Sequence, residues 1–210
     1  MKKNTLLYFS NPHEFHDFIY SQKIDDGWRI YSGTMNSRGK SIKDKSYSKL
    51  LSSTFNDKGF FRKKVSVAEI VSWIDNFLYM LRILKQLHTD IGDKLYNEIE
   101  IYFEYKILMS KNMRVDFVIK HRNILLLLEF RTLDRFEKIR TTWDKKKLEL
   151  IIYKELMQNY ISDKTYLTYA FIGLYEYEHS KIVTKHKDYN MNQVKYLSKY
   201  IKLFMFDFKD

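Results

Sequence analysis

In MRVDFVIKHRNILLLLEFR, residues 113–131, ionic side chains punctuate two apolar runs: Asp116 stands on the first, and Glu129 and Arg131 close the second. Short apolar runs separated by a polar segment, here 120–123, read as two strands joined by a hairpin turn. With an even number of loop residues, such as His121-Arg122, Asp116 falls opposite Leu127 and on the same sheet face as Glu129 and Arg131. Two carboxylates on neighbouring strands are the oxygen donors that a hard divalent cation such as Mg²⁺ takes, its other positions going to water and substrate phosphate. The alternative is an ordinary sheet rim, with Asp116 facing solvent and Glu129 paired to Arg131 or Arg114.

These strands need a scaffold, and the pattern of the chain supplies one. Ser66 can cap a helix running from residue 67 to about 89, with Ile70, Ile74, Phe77, Leu81 and Leu84 at helical period. Asp90-Ile91-Gly92-Asp93 breaks it, a helical turn follows at 94–98, and a strand begins at 101. Next come the two hairpin strands, 114–119 and 124–131. The five successive aliphatics from Ile124 to Leu128 predict a strand covered on both faces. Thr142 can cap a further helix with Trp143, Leu148, Ile151 and Ile152 on its apolar side, and 165–175 reads as a strand. A terminal amphipathic helix occupies 192–206. The order αβββαβ predicts an α/β domain over 65–210, a central mixed sheet flanked by helices. Before it, 1–64 reads as an N-terminal extension: a short helix at 12–22 capped by Asn11, a brief strand at 28–31 and a long basic loop.

A strand carrying Asp, a hairpin, and a strand ending Glu129-Phe130-Arg131 in that order resembles the PD-(D/E)xK nuclease superfamily, the restriction-endonuclease-like fold, over roughly residues 66–175. The resemblance implies that Asp116 and Glu129 hold Mg²⁺ (or Mn²⁺), that Phe130 lends its backbone carbonyl, and that Arg131 stands in the place of the family's lysine. It also implies an acid from the preceding helix, for which Glu98 is the candidate, with Glu100 and Glu104 close behind. On the helix after the hairpin, Glu149 and Tyr153 match positions that face the family's cleft. The activity implied is metal-dependent hydrolysis of DNA phosphodiester bonds in restriction, phage defence or repair. Arginine can steady a phosphate by a charged fork, but a pKa above about 12 makes it a poor base. The resemblance therefore also admits a catalytically inactive module of the same fold that binds nucleic acid or a protein partner.

Charge points toward a polyanion. The chain has 37 Lys+Arg against 26 Asp+Glu, a formal net charge of +11. Lys145, Lys146 and Lys147 fall in the first turns of the expected helix, behind Arg135, Lys138 and Arg140. Cations there oppose the helix dipole, a cost that a bound phosphate would offset; the plain alternative is a solvated charge run. In the Ser/Lys-rich segment 32–64, Arg38 and Lys40 are interleaved with Tyr47, Phe55, Phe60 and Phe61, a mixture suited to phosphate contact and base stacking. DNA is the expected partner ahead of RNA, with a protein partner or a homodimer left open.

No apolar run approaches the ~20 residues of a membrane span, so no membrane role is expected. The N-terminal residues show no secretory cleavage pattern, and a cytoplasmic location is expected. With no cysteine there is no disulfide, thiolate nucleophile or zinc–thiolate site. His13-Glu14-Phe15-His16-Asp17 lacks zinc-protease spacing and reads as a polar helix face.

Overall fold

A computed structural model of the chain describes residues 1–24, 35–59, 64–107, 113–133, 139–158, 164–173 and 191–207. Five strands, β1 Thr5–Phe9, β2 Ile99–Lys106, β3 Arg114–His121, β4 Ile124–Leu133 and β5 Lys164–Gly173, form one sheet in chain order. Each neighbouring pair from β1 to β4 is antiparallel, and β5 runs parallel to β4. A parallel neighbour requires a crossover, which helix α5, Ile139–Gln158, provides. The remaining helices are α1 Pro12–Ser21, α2 Met35–Ile42, α3 Ser46–Asp57, α4 Val67–Tyr96 and α6 Met191–Lys202, the last running into a π turn at Leu203–Asp207. The sheet is mixed and helices flank it, an α/β architecture.

Helix α4 is the spine. The Ser66 hydroxyl accepts from the Glu69 N–H at 3.1 Å and caps it, as the Asn11 side chain caps α1 from the Glu14 N–H at 3.0 Å. From Trp73 to Leu84 almost every residue is buried, because α4 packs against the sheet and against α1, α2, α3 and α6. Between the sheet and this helical layer lies the larger core, with Phe15, Phe77, Phe103, Phe117 and Phe130 at its centre. A smaller core of Val118, Leu125, Leu127, Leu150 and Tyr153 lies under α5. Leu126 and Leu128 enter the first and Leu125 and Leu127 the second, so the aliphatic run of β4 is covered on both faces as its sequence predicts.

Several expectations are corrected. The break expected at Asp90-Ile91-Gly92-Asp93 is present, although the element runs on past it: Gly92, at φ 73° and ψ 170°, is non-helical, and a short helical stretch then follows to Tyr96. The segment expected as a loop contains α2 and α3, because Tyr47, Leu51 and Phe55 recur every four residues and bury one face that the Ser/Lys composition conceals. Tyr47 and Phe55 are thus core residues, the Phe55 ring lying 5.6 Å from that of Trp73, and not a stacking platform. The strand expected at 28–31, and Phe60 and Phe61, lie outside the described residues. β1 was not anticipated; it forms the sheet edge beside β2 and brings Leu6 into the main core. α5 begins at Ile139, so Thr142 lies within its first turn and does not cap it. Among the described residues no helix is long and apolar enough to cross a membrane.

Candidate active site

The hairpin register runs from Phe117 opposite Leu128 to His121 opposite Ile124. It closes on a two-residue loop, Arg122-Asn123, in which Arg122 adopts φ 53°. The expected pairing of Asp116 with Leu127 is shifted by two residues: the ladder ends at Phe117 and Leu128, and extending its register sets Asp116 level with Glu129. Cross-strand bonds fix this pairing. The Asp116 N–H donates to Glu129 Oε1 at 3.2 Å, and the Phe130 N–H donates to Asp116 Oδ2 at 2.7 Å. A two-residue shift preserves the side-chain face, so the two acids still meet.

The same row continues onto β2. Phe103 pairs with Phe117 and Tyr105 with Val115, which leaves Glu104 across from Asp116. Glu104 has φ 52°, a left-handed backbone uncommon for a residue other than glycine. Residues two apart on a regular strand share a face. Here Phe103 and Phe117 pack under α4 while Tyr105 and Val115 join the core under α5, so the pleat is broken at Glu104 on β2 and at Asp116 on β3. The break swings Glu104 toward α4, where the Trp73 indole N–H donates to its Oε1 at 2.7 Å. Arg114 Nη1 lies 2.7 Å from Glu104 Oε2 without hydrogen-bond alignment, and Arg114 also pairs with Glu69 on α4.

Above this row opens a cleft of about 390 Å³ between the start of α4 and the start of α5, lined by Glu69, Trp73, Glu104, Arg114, Asp116, Phe130, Arg131 and Lys146. Lys146 reaches down from α5, its Nζ 2.6 Å from Glu129 Oε2 and 2.9 Å from Glu149 Oε2. It stands four residues before Leu150 and seven before Tyr153, both buried against the sheet, and so shares their helical stripe. Arg131 lines the cleft with its side chain exposed.

Five carboxylates meet here, Glu69, Glu104, Asp116, Glu129 and Glu149, against three cations, Arg114, Arg131 and Lys146. Desolvation and the Asp116 charge push the Glu129 carboxyl up to about 8, although Lys146 opposes them. Desolvation likewise raises Glu104 well above the usual carboxylate range against the pull of Arg114, and raises Asp116 against that of Lys146. For Lys146, burial alone would lower the ammonium pKa, but the charges of Glu129 and Asp116 outweigh it and the net shift is upward. Desolvation, reinforced by the Glu129 charge, lifts the Tyr153 hydroxyl to about 12.

This donor set suits a hard divalent cation. It is all oxygen, it carries an excess of two negative charges when ionised, and Glu104 Oε2 is buried without an aligned hydrogen bond. Asp116 spends Oδ2 on Phe130, whereas both Glu129 oxygens are already engaged. No three of the five carboxylates offer oxygens that all lie within 4.8 Å of one another; among the described residues that distance is met by His13, His88 and Asp93.

Of the other expected site residues, Glu98 is not in the cleft. It pairs with His121 and Arg122 at the hairpin end of the sheet, six strand residues or about 20 Å from Glu104. Glu100 accepts from the Tyr8 and Tyr102 hydroxyls. Phe130 contributes its N–H to Asp116. Arg38 is 1% exposed and forms a buried ion pair with Asp75 of α4, which removes it from any nucleic-acid surface, while Lys40 is exposed. Lys145 and Lys147 are exposed in the second and third turns of α5, beyond the reach of its dipole. Arg135 and Lys138, and the side chain of Arg140, lie outside what is described.

Sequence reasoning undervalued two residues. Glu104 stood behind Glu98 because nothing in the alternation IEIYFEYK announces a broken pleat. Lys146 stands between two exposed lysines in the sequence, but its spacing to Leu150 and Tyr153 is the signal that places it on the inner stripe. No family model, curated protein or solved structure matches the chain.

Proposed function

We propose that the protein is a Mg²⁺- or Mn²⁺-dependent phosphodiesterase acting on DNA, a nuclease of the PD-(D/E)xK type. The observation that carries the reading is the row of Glu104, Asp116 and Glu129 across three adjacent strands, overhung by Lys146 and Arg131 in one cleft. Further support comes from the element order α4-β2-β3-β4-α5-β5 around that row. Asp116 and Glu104 would hold the ion, which supplies Lewis acidity to a phosphoryl oxygen and to water. Arg131 reaches the phosphate as a fixed planar fork. Lys146 stays charged and adds electrostatic stabilisation to the pentavalent phosphate. Glu129, with its pKa near 8, is suited to take up and return a proton close to neutral pH. Genome defence, restriction or repair is the setting such an activity would serve.

A second reading, an inactive module of the same fold that binds nucleic acid or a protein, is favoured by one observation. Both Glu129 oxygens already accept, one from the Lys146 ammonium and one from the Asp116 amide, so an ion there would compete with Lys146. Incubation with single- and double-stranded DNA and RNA separates the two. Products that require Mg²⁺ or Mn²⁺ and vanish in Asp116→Ala support the enzyme; salt-sensitive binding without products supports the module.

A further inference from the structure

A second cluster lies at the junction of α1 and α4, independent of the cleft. His13, in the first turn of α1, stands beside His88 and Asp93 of α4, and the three offer one ligand atom each within 4.8 Å of one another. We propose that His13, His88 and Asp93 form a binding site for a borderline divalent transition-metal ion of the zinc class.

The backbone is shaped for this convergence. Residues five apart on a regular α-helix lie about 140° apart around its axis, so Asp93 would not ordinarily face His88. Gly92 between them has φ 73°, which only glycine adopts freely, and the resulting kink brings Asp93 Oδ1 to 2.5 Å from His88 Nε2. The imidazoles are also oriented in advance. The His88 ring stacks on Tyr96 with centroids 4.4 Å apart and planes at 21°, and His13 meets Tyr96 at 5.3 Å and His88 at 5.6 Å edge-on. His16 is excluded from the set because its Nε2 is bonded to the Tyr96 hydroxyl at 3.1 Å.

Two imidazole nitrogens and one carboxylate oxygen form the mixed set that zinc and its neighbours prefer, with solvent completing a four-coordinate shell. Mg²⁺, which takes oxygen ligands, should not compete. His13 and Asp93 are both exposed, which keeps an entry path open and makes their substitution tolerable to the fold. A bound ion would pin α1 to α4.

The test is calorimetric titration of tag-free, chelator-stripped full-length protein with Zn²⁺, together with visible absorption on adding Co²⁺. The expected result is a zinc site whose affinity falls tenfold or more in both His13→Ala and Asp93→Asn and is unchanged in Asp17→Asn, an exposed acid of α1 outside the cluster, with a Co²⁺ spectrum that disappears in the first two variants. Excess Mg²⁺ should leave it intact. Circular dichroism of each variant establishes that it is folded. No saturable binding at micromolar Zn²⁺, or equal binding in wild type and both variants, would overturn the proposal and leave His88 and Asp93 as a plain ion pair.

Discussion

Replacing Glu129 by Gln removes a charge from the centre of the cleft while preserving shape. Glu129 is 2% exposed, and desolvation with the Asp116 charge holds its pKa near 8 despite Lys146 at 2.6 Å. Between an ordinary glutamate pKa of about 4.5 and about 8, the folded protein retains a proton that the unfolded chain has released. The stability contributed by this group is therefore complete below about pH 4.5 and is lost as pH rises to about 8. At ~1.4 kcal/mol per pH unit the ceiling is about 5 kcal/mol. Proton sharing with Asp116 and Glu104 keeps the expected change below that ceiling, on the order of a few kcal/mol. Glu129→Gln has no such proton. In urea unfolding between roughly pH 5 and 9, its stability relative to wild type should climb by about that amount with pH. Saturating Mg²⁺ should shift the wild-type loss, because the ion favours ionised carboxylates. Parallel stability curves for the two proteins across this range would refute the electrostatic picture of the cleft.

Arg38→Met should destabilise the fold by about 3 kcal/mol, since it removes the guanidinium paired with the buried Asp75 carboxylate; chemical denaturation measures the loss, and DNA affinity of the folded variant should not change. DNA binding followed by fluorescence anisotropy should weaken steeply with salt, and Lys145→Glu with Lys147→Glu should flatten the log–log slope by about two or more; an unchanged slope would remove these lysines from the interface. Arg131→Ala should lower cleavage more than Arg131→Lys, which keeps a cation at the cleft wall.

Much of the scaffold was legible because local signals agreed with the global fold. Ser66 and Asn11 cap as expected, the aliphatic run 124–128 is buried on both faces, and the helix, three strands, helix and strand follow in the expected order. The parity argument brought Asp116 and Glu129 to one face even though the loop was misplaced by a residue, since an even register error keeps the face. Composition misled where it was taken for structure: Ser and Lys around Tyr47, Leu51 and Phe55 hid a four-residue period, and the charge of Arg38 hid its burial with Asp75. Glu104 could not be read from the sequence, because its position depends on a single left-handed residue within a strand. The meeting of His13 with His88 and Asp93 depends on how α1 lies against α4 and on the Gly92 kink, neither of which leaves a local pattern.

The claim that this cleft is a metal-dependent phosphodiesterase site is tested most directly by single-turnover cleavage of end-labelled duplex and single-stranded DNA with Mg²⁺ or Mn²⁺, comparing wild type with Asp116→Asn and Lys146→Met. Wild type should cleave only with the ion, and cleavage should be abolished in Asp116→Asn and strongly reduced in Lys146→Met, with all three proteins folded. Cleavage that persists undiminished in Asp116→Asn, or the absence of any ion-dependent product from wild type on every substrate, would contradict the claim.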